Sequence, residues 1–262
     1  MKAIIIAAGS GKRLLPLTKD KPKCMLNILG KPLISQTLET FRNSDINDVA
    51  IIRGYEADKI NFNDVTYFTN SNWENNNILH SLMYAKDHFK SAIESGEDLF
   101  VTYSDIIFKK EVLKKLLTTD GNISLVIDKS WESIYVDRKN HGIEEAENVI
   151  TDEHGRITKI GKYIKSENNL SSSASEFIGL WKLAPKGAKE FLHHFEKLNE
   201  ILSLTDAFQT AKEWQKSYLT DMFQYLINEG IEIQSVTISN GWREFDTVED
   251  FEKFGGMANE VW

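Results

Sequence analysis

The sequence predicts a single α/β domain, built on a mixed, mostly parallel sheet with helices on both faces. Three observations predict it. Short β-branched runs alternate with amphipathic helical segments through the first half. The first run ends in Gly-Ser-Gly, and later runs end in Asp105 and Asp128, as expected where ligands meet the carboxyl edge of such a sheet. A length of 262 residues, 41% of them hydrophobic, suffices for one large core.

The elements follow in order. Lys2–Ala7 is a short β-branched run closed by glycine, the pattern of a buried strand. Residues 32–41 place Ile34, Leu38 and Phe41 on one helical face, and residues 49–54 read as the next strand. Residues 77–89 carry Ile78, Leu82, Ala85 and Phe89 at helical spacing, behind asparagines that can cap. Leu99–Tyr103 is a strand, residues 111–117 a helix and Ile123–Asp128 a strand. The second half is less regular. Residues 148–150 and 156–160 flank Asp152-Glu153-His154-Gly155, a hairpin pattern. A strand is expected at 177–183, helices at 185–198 and Leu219–Asn228, and a last strand at 231–238 leading to Asn240-Gly241-Trp242. Residues 166–175 (SENNLSSSAS) read as a mobile loop, and the tail after Phe254 as frayed.

Composition narrows the class. A net charge of −8 argues against wholesale binding to nucleic acid or anionic membrane. No stretch approaches the ~18 apolar residues of a membrane helix, and residues 3–8 are too short for a signal-peptide core. The lone Cys24 permits no intrachain disulfide, which fits a cytoplasmic setting. A homodimer is compatible with the sequence.

Residues 8–26 read AGSGKRLLPLTKDKPKCML. Glycines after a strand let main-chain N–H groups approach phosphate oxygens, while Lys12, Arg13 and Lys23 offset the roughly four negative charges of a triphosphate. Gly-Ser-Gly alone is equally a glycine turn among solvated lysines. Two sharper rivals fail on spacing. A Walker loop needs glycine where Ile6 stands and Ser or Thr where Arg13 stands. A dinucleotide fingerprint needs glycine in place of Leu14.

Taken whole, the pattern G-x-G-x-R-x-x-P-L-T followed by P-K resembles that of the sugar-phosphate nucleotidyltransferases and their cytidylyltransferase relatives. Gly9, Gly11, Arg13, Pro16, Leu17, Thr18, Pro22 and Lys23 carry it. The resemblance implies a Rossmann-like nucleotidyltransferase domain over residues 1–262. Its nucleotide-binding part is expected at about 1–125, its acceptor-binding part at about 126–240 and a metal-aspartate segment at about 241–254. It implies that Ala7, Ala8, Gly9, Ser10, Gly11, Lys12 and Arg13 hold the nucleotide, with Ser104 nearby, and that Lys23 lies against the phosphates at the reacting centre.

Asp105 and Asp246 both end strand-like segments, and singly each reads as a cap or turn residue. The resemblance changes that. It implies a metal-binding aspartate after the central strand and a second in a D-T-x-E-D-like context, matched by Asp246-Thr247-Val248-Glu249-Asp250. The first departs slightly, being Ser104-Asp105 where many relatives have Asp-Gly-Asp or Ala-Asp. A triphosphate calls for Mg²⁺, which takes a few carboxylates plus phosphate oxygens and water. Nucleotidyl transfer to an ionised phosphate needs positioning and charge neutralisation more than a strong base. The six histidines show no zinc-like spacing with cysteine.

The stretch 75–82, NNNILHSL, is by itself a polar helix cap. It also resembles the N-x-x-x-S stretch of cytidylyltransferases acting on phosphocholine, alkylphosphonates and similar esters, which implies CTP, with Asn77 and Ser81 near the base. The run 128–179 resembles the same group, and there the acceptor residues are expected. Lys162 and Arg138 would hold its phosphate or phosphonate, and Lys162 would act in catalysis. Trp131 and Tyr135 would face a cationic amine, with Glu147 or Glu176 beside it. The alternative is core or loop aromatics and a solvated acidic face. Two rivals stand beside CMP transfer to phosphocholine, an alkylphosphonate or an amino-acid-amide phosphate. One is a hexose-1-phosphate nucleotidyltransferase using UTP, dTTP or CTP. The other is a regulatory subunit without catalysis, against which Arg13, Lys23, Asp105 and Asp246 argue.

Overall fold

The computed structural model describes residues 1–136, 138, 141–162, 164 and 174–256, with the backbone alone for 254–256. The loop expected at 166–175 lies outside the described residues except for its last two, as does the tail from 257. Strands in chain order are β1 (Lys2–Ala7), β2 (Asn27–Ile28), β3 (Lys31–Pro32), β4 (Asp48–Arg53), β5 (Thr66–Thr69), β6 (Leu99–Tyr103), β7 (Ile106–Phe108), β8 (Ile123–Asp128), β9 (Glu147–Thr151), β10 (Ile157–Lys162), β11 (Ser175–Leu183), β12 (Gln234–Ile238) and β13 (Trp242–Glu244). The α-helices are α1 (Leu33–Arg42), α2 (Ile78–Leu82), α3 (Lys86–Ser95), α4 (Lys110–Leu117), α5 (Glu132–Tyr135), α6 (Pro185–Ile201), α7 (Leu219–Asn228) and α8 (Val248–Gly256).

Nine strands make the central sheet in the order β10-β9-β11-β6-β1-β4-β5, with β8 also on β11 and β12 on β8. β5, β4, β1 and β6 pair in parallel, and β8, β9 and β12 run the same way. Only β10 and β11 oppose them, so the expected mixed, mostly parallel sheet is what forms. Both faces are covered. Ile4 and Ile6 of β1 pack with Leu82, Phe89, Phe191 and Phe223 from α2, α3, α6 and α7. Ile5, pointing the other way, packs with Leu38 of α1 and Leu113 of α4. Burial on two faces is why β1 after Lys2 is continuously apolar rather than alternating.

The elements differ from expectation where the local signal is short. The helix expected over 77–89 divides into α2, a 3-10 turn (Met83–Ala85) and α3. β5 is a half-exposed edge strand of four residues, and β7 has only three, too few to show a period. The last strand starts at Gln234, three residues later than expected.

One small ribbon positions the site. β13 pairs antiparallel with β7, apart from the main sheet, placing Glu244 opposite Ile106. The Phe245 N–H then donates to the Asp105 carbonyl at 3.0 Å, so Asp246 arrives beside Asp105. Asp128 anchors the approach. It is fully buried at the end of β8 and accepts from Trp242 Nε1 at 2.8 Å and from the Asn240 N–H at 3.2 Å.

Candidate active site

The loop after β1 is held in place by its own neighbours. Gly11 has φ +62°, and a Cβ there would stand 2.9 Å from Lys23 Cβ. Thr18 Oγ1 donates to the Gly11 carbonyl at 2.9 Å, and the Tyr55 N–H to that of Ala8 at 3.0 Å. A Cβ at Gly9 would meet no protein atom within 4 Å, so the space above it is open. Ala7, Ala8, Gly9, Ser10, Gly11, Lys12, Arg13 and Lys23 together line one side of a cavity of about 490 Å³.

Lys23 is buried, and its ammonium donates to Asp105 at 2.8 Å and to Asp246. Burial works against its charge, but the two carboxylates hold the ammonium above its ordinary pKa. Asp246 is buried as well. Burial opposes its charge, yet Lys23, the His141 hydrogen bond and Arg13 keep its carboxyl well below the usual range. His141 Nδ1 stands 2.7 Å from Asp246 Oδ2. Glu244 lies two residues back, as the last residue of β13. Burial first, then repulsion from Asp246 and Asp105, pushes it up to about 7.

The donor set fits a hard divalent ion. Asp105 Oδ1 is buried with no hydrogen-bond partner, and one ligand atom from each of His141, Glu244 and Asp246 lies within 4.8 Å of the others. Two of those three are carboxylates, Glu244 and Asp246, and carboxylate oxygens are what Mg²⁺-like cations take.

The other side of the cavity is acidic and aromatic. The Tyr103 hydroxyl donates to Glu147 at 3.0 Å. Its ring is seated over Gly179, where φ is +80° and a Cβ would strike the ring at 2.3 Å. Tyr135 donates to Glu176 Oε1, while Glu176 Oε2 is buried without a partner. Burial raises Glu147 to about 7, against the pull of Lys162 and the Tyr103 bond, and raises Glu176 well above the usual carboxyl range. Lys162 faces Glu147 across the β9–β10 ladder. Its ammonium donates to Glu145 at 2.8 Å and lies 5.0 Å from the centre of the Tyr218 ring.

Two expected acceptor residues are placed elsewhere. Among the described residues neither Trp131 nor Arg138 lines the cavity. Trp131 is buried against Tyr135 and Ala146, and its Nε1 donates to the Ala174 carbonyl at 2.6 Å, making it a core aromatic. Arg138 is consumed by acidic partners, Asp250 at 2.8 Å and Glu244 at 3.3 Å, so its charge is not available to an acceptor phosphate. Tyr135, Glu147, Lys162 and Glu176 do line it, as do Asn77, Ser81, Ser104, Asp105 and Asp246. The Asn77 side chain is engaged at both ends, capping α2 at Ile78 and donating to the Lys216 carbonyl. Ser81 sits in a network with Asn70 and Asn76. Lining residues that sequence reasoning missed include Trp73, Asn76, Tyr103, His141, Tyr218 and Glu244. The two-residue spacing of Glu244 and Asp246 could have revealed Glu244. Nothing local marks His141.

Comparison with known proteins agrees with this geometry. The family model described as nucleotidyl transferase matches residues 2–128. A CTP:phosphoglutamine cytidylyltransferase of Campylobacter jejuni is 32% identical over 257 residues, covering 96% of this chain and 98% of its own. A choline-phosphate cytidylyltransferase of Streptococcus pneumoniae is 25% identical, covering 97% and 96%. Among solved structures, the CTP:phosphocholine cytidylyltransferase of Streptococcus pneumoniae superposes with a TM-score of 0.73 at 21% identity, covering 98% of each chain. The inositol-1-phosphate CTP transferase of T. maritima gives 0.72 at 22%, covering 99% of this chain and 96% of that one. The glycine loop, the paired aspartates and the full-length match to the C. jejuni enzyme therefore lead to one conclusion: the chain belongs to the nucleotidyltransferase family.

Proposed function

We propose that this enzyme transfers CMP from CTP to the phosphate of a small acceptor that also carries an ammonium group, releasing pyrophosphate. One observation carries the reading, the segregation of charge within one cavity. Cations and main-chain N–H groups lie on the β1 side, and Glu147 and Glu176 with two tyrosines lie on the β9–β11 side. A neutral hexose offers no counter-charge to those buried carboxyls. An amine-bearing phosphate ester or amide phosphate does, and the acceptors in the names of its relatives, phosphocholine and phosphoglutamine, are of that kind.

The glycine loop and Arg13 bind the triphosphate, and Lys23 lies where charge gathers as pyrophosphate leaves. Mg²⁺ at Asp105 and Asp246, when bound, neutralises phosphate charge. Lys162 holds the acceptor phosphate. Its oxygen, already ionised, attacks the α-phosphorus of CTP in line, and the bond from that phosphorus to the β-phosphate oxygen breaks with no proton to remove. The ammonium end draws Glu147 and Glu176 into their charged forms, which burial alone disfavours. The Asn70–Asn76–Ser81 network supports pyrimidine choice at the base. On this reading the nucleotide part spans about 1–125, the acceptor part 126–240 and the metal-aspartate segment 241–254. Among the described residues no helix is long and apolar enough to cross a membrane, and a CTP-dependent reaction supports a cytoplasmic setting.

Pyrophosphate release across CTP, UTP and dTTP against phosphocholine, an amide phosphate of an amino acid, an alkylphosphonate and hexose 1-phosphates tests this. CTP with an amine-bearing acceptor is expected to give the highest kcat/KM. A hexose 1-phosphate giving the highest value overturns the acceptor, and UTP or dTTP outperforming CTP overturns the nucleotide.

A further inference from the structure

Arg138 lies outside the cavity yet touches structures on both of its sides. Its guanidinium stands 5.0 Å from the centre of the Tyr135 ring, and Tyr135 in turn bonds Glu176. On the other side Arg138 Nε donates to Asp250 Oδ1 at 2.8 Å. Its NH1 and NH2 groups donate to the side chain and the main-chain carbonyl of Glu244, each at 3.3 Å. Asp250 uses its second oxygen on the metal-aspartate turn. That oxygen accepts from the Asp246 N–H at 2.9 Å, the Thr247 N–H at 2.8 Å and Thr247 Oγ1 at 3.0 Å. The Arg138 side chain is 4% exposed and that of Asp250 8%.

Asp246 is thus fixed through its backbone by a carboxylate, itself fixed by an arginine from the acceptor side. The side-chain partners of Asp246 are of another kind. Arg13 is half exposed, both Arg13 and Lys23 have phosphates to bind during the reaction, and among the described residues His141 is the one buried side-chain partner left to Asp246. A planar guanidinium spanning two acidic residues holds geometry in a way that a point charge does not.

We propose that Arg138 and Asp250 form a positioning clasp that sets the Asp246 carboxylate for its divalent ion and ties the acceptor wall to the metal centre. The proposal rests on the assignment of Asp105 and Asp246 as metal ligands. Neither clasp residue touches substrate. Groups that orient metal ligands typically cost ~10–100-fold in metal affinity or activity when removed. Because the clasp bridges from Tyr135, its loss also raises the acceptor KM.

The test is Mn²⁺ titration followed by electron paramagnetic resonance, with kcat, both KM values and the thermal midpoint measured on the same samples. Arg138→Met alone strands buried carboxylates and lowers stability. The informative variant is the double Arg138→Met/Asp250→Asn, in which the asparagine carbonyl still caps the N–H groups of residues 246 and 247 and no unpaired charge is left at 250. It is expected to bind Mn²⁺ ~10–100-fold more weakly than the native enzyme, with a raised acceptor KM and a thermal midpoint above that of Arg138→Met, since Glu244 alone is then left without its guanidinium partner. Arg138→Lys, which keeps the charge and loses the fork, is expected to fall in the same direction, and it carries the comparison if the double variant does not fold. Mn²⁺ affinity within about twofold of native in the folded variant overturns the clasp. Native Mn²⁺ affinity in Asp246→Asn overturns the metal assignment itself, and is read from a different sample.

Discussion

The phosphate side of the cavity is assembled from main-chain N–H groups and cations of one short segment, residues 9–23, whereas the acceptor side gathers carboxyls and tyrosines from β6, β9, β11 and the turn around α5. The first depends on local geometry, a glycine turn at the end of a strand. The second depends on register, since Glu147 meets Lys162 and Glu176 meets Asp128 only because three antiparallel ladders align them. The contrast separates chemistry that can be read along a chain from chemistry that exists only after strands pair. It also separates an open side rich in cations from a buried one whose carboxyls burial holds towards their neutral forms.

The contrast is broken most severely at the junction of the two sides. Asp246→Ala removes a carboxylate that is the proposed metal ligand and that pairs with Lys23, Arg13 and His141. Pyrophosphate release is expected to fall at least ~10³-fold in kcat with the fold intact by circular dichroism. Turnover at the native rate would remove Asp246 from the mechanism.

Glu176→Gln acts on the acceptor side alone. It keeps the size of the side chain and a carbonyl for the Tyr135 hydroxyl, but it deletes the charge. For an amine-bearing acceptor kcat/KM should drop roughly 10–100-fold, the value of a buried charge-assisted hydrogen bond, with the CTP KM unmoved. An equal loss for an uncharged acceptor would show that Glu176 supports the wall rather than the ammonium.

Legibility follows the same division. Gly9, Gly11, Arg13 and Lys23 were readable because residue type, spacing and position after a strand sit in one contiguous stretch. Of the β-elements, β1, β6 and β8 were found to the residue, being mostly apolar and closed by a turn or a polar residue. β5 and β7 were missed because four and three residues carry no period. Trp131 and Arg138 were misplaced for a different reason. An aromatic and a guanidinium suit a zwitterionic ligand, but they suit the Ala174 carbonyl and the Asp250–Glu244 pair equally well, and only tertiary contacts decide. His141 was beyond reach, since its role comes from an aspartate 105 positions away.

A third prediction uses the held-back charge. Glu147 folds with a pKa of about 7 against an ordinary 4.5, raised by burial and opposed by Lys162 and Tyr103. The folded state therefore binds the proton more tightly than the unfolded chain. The associated stability is fully present below about pH 4.5 and is lost as pH rises through 7. In ligand-free enzyme the thermal midpoint should decline between pH 5 and 8. Glu147→Gln should flatten that decline by several degrees, roughly 2–4 °C per kcal/mol for a chain of this size. An unchanged slope would mean that Glu147 titrates normally.

The smallest effect separates core from site. Trp131→Phe removes one hydrogen bond, to the Ala174 carbonyl, and should cost about 1 kcal/mol of stability. Denaturant titration reads that cost, while the acceptor KM should stay within twofold of native, roughly the scatter expected for a residue off the site. A large rise in acceptor KM would return Trp131 to the acceptor wall.

The β7–β13 ribbon has a consequence for how the enzyme fails. Three residue pairs, standing apart from the nine-stranded sheet, bring Asp105 and Asp246 together across 141 positions of sequence. The ribbon is nevertheless no loose appendage: Ile106, Phe108 and Trp242 are buried in the same core as Leu38 and Phe41 of α1 and Ile51 of β4. Regions that open at low free energy have few buried apolar contacts, and this one has many. The spacing of the two aspartates therefore lasts as long as that core does, and activity and fold are expected to be lost together.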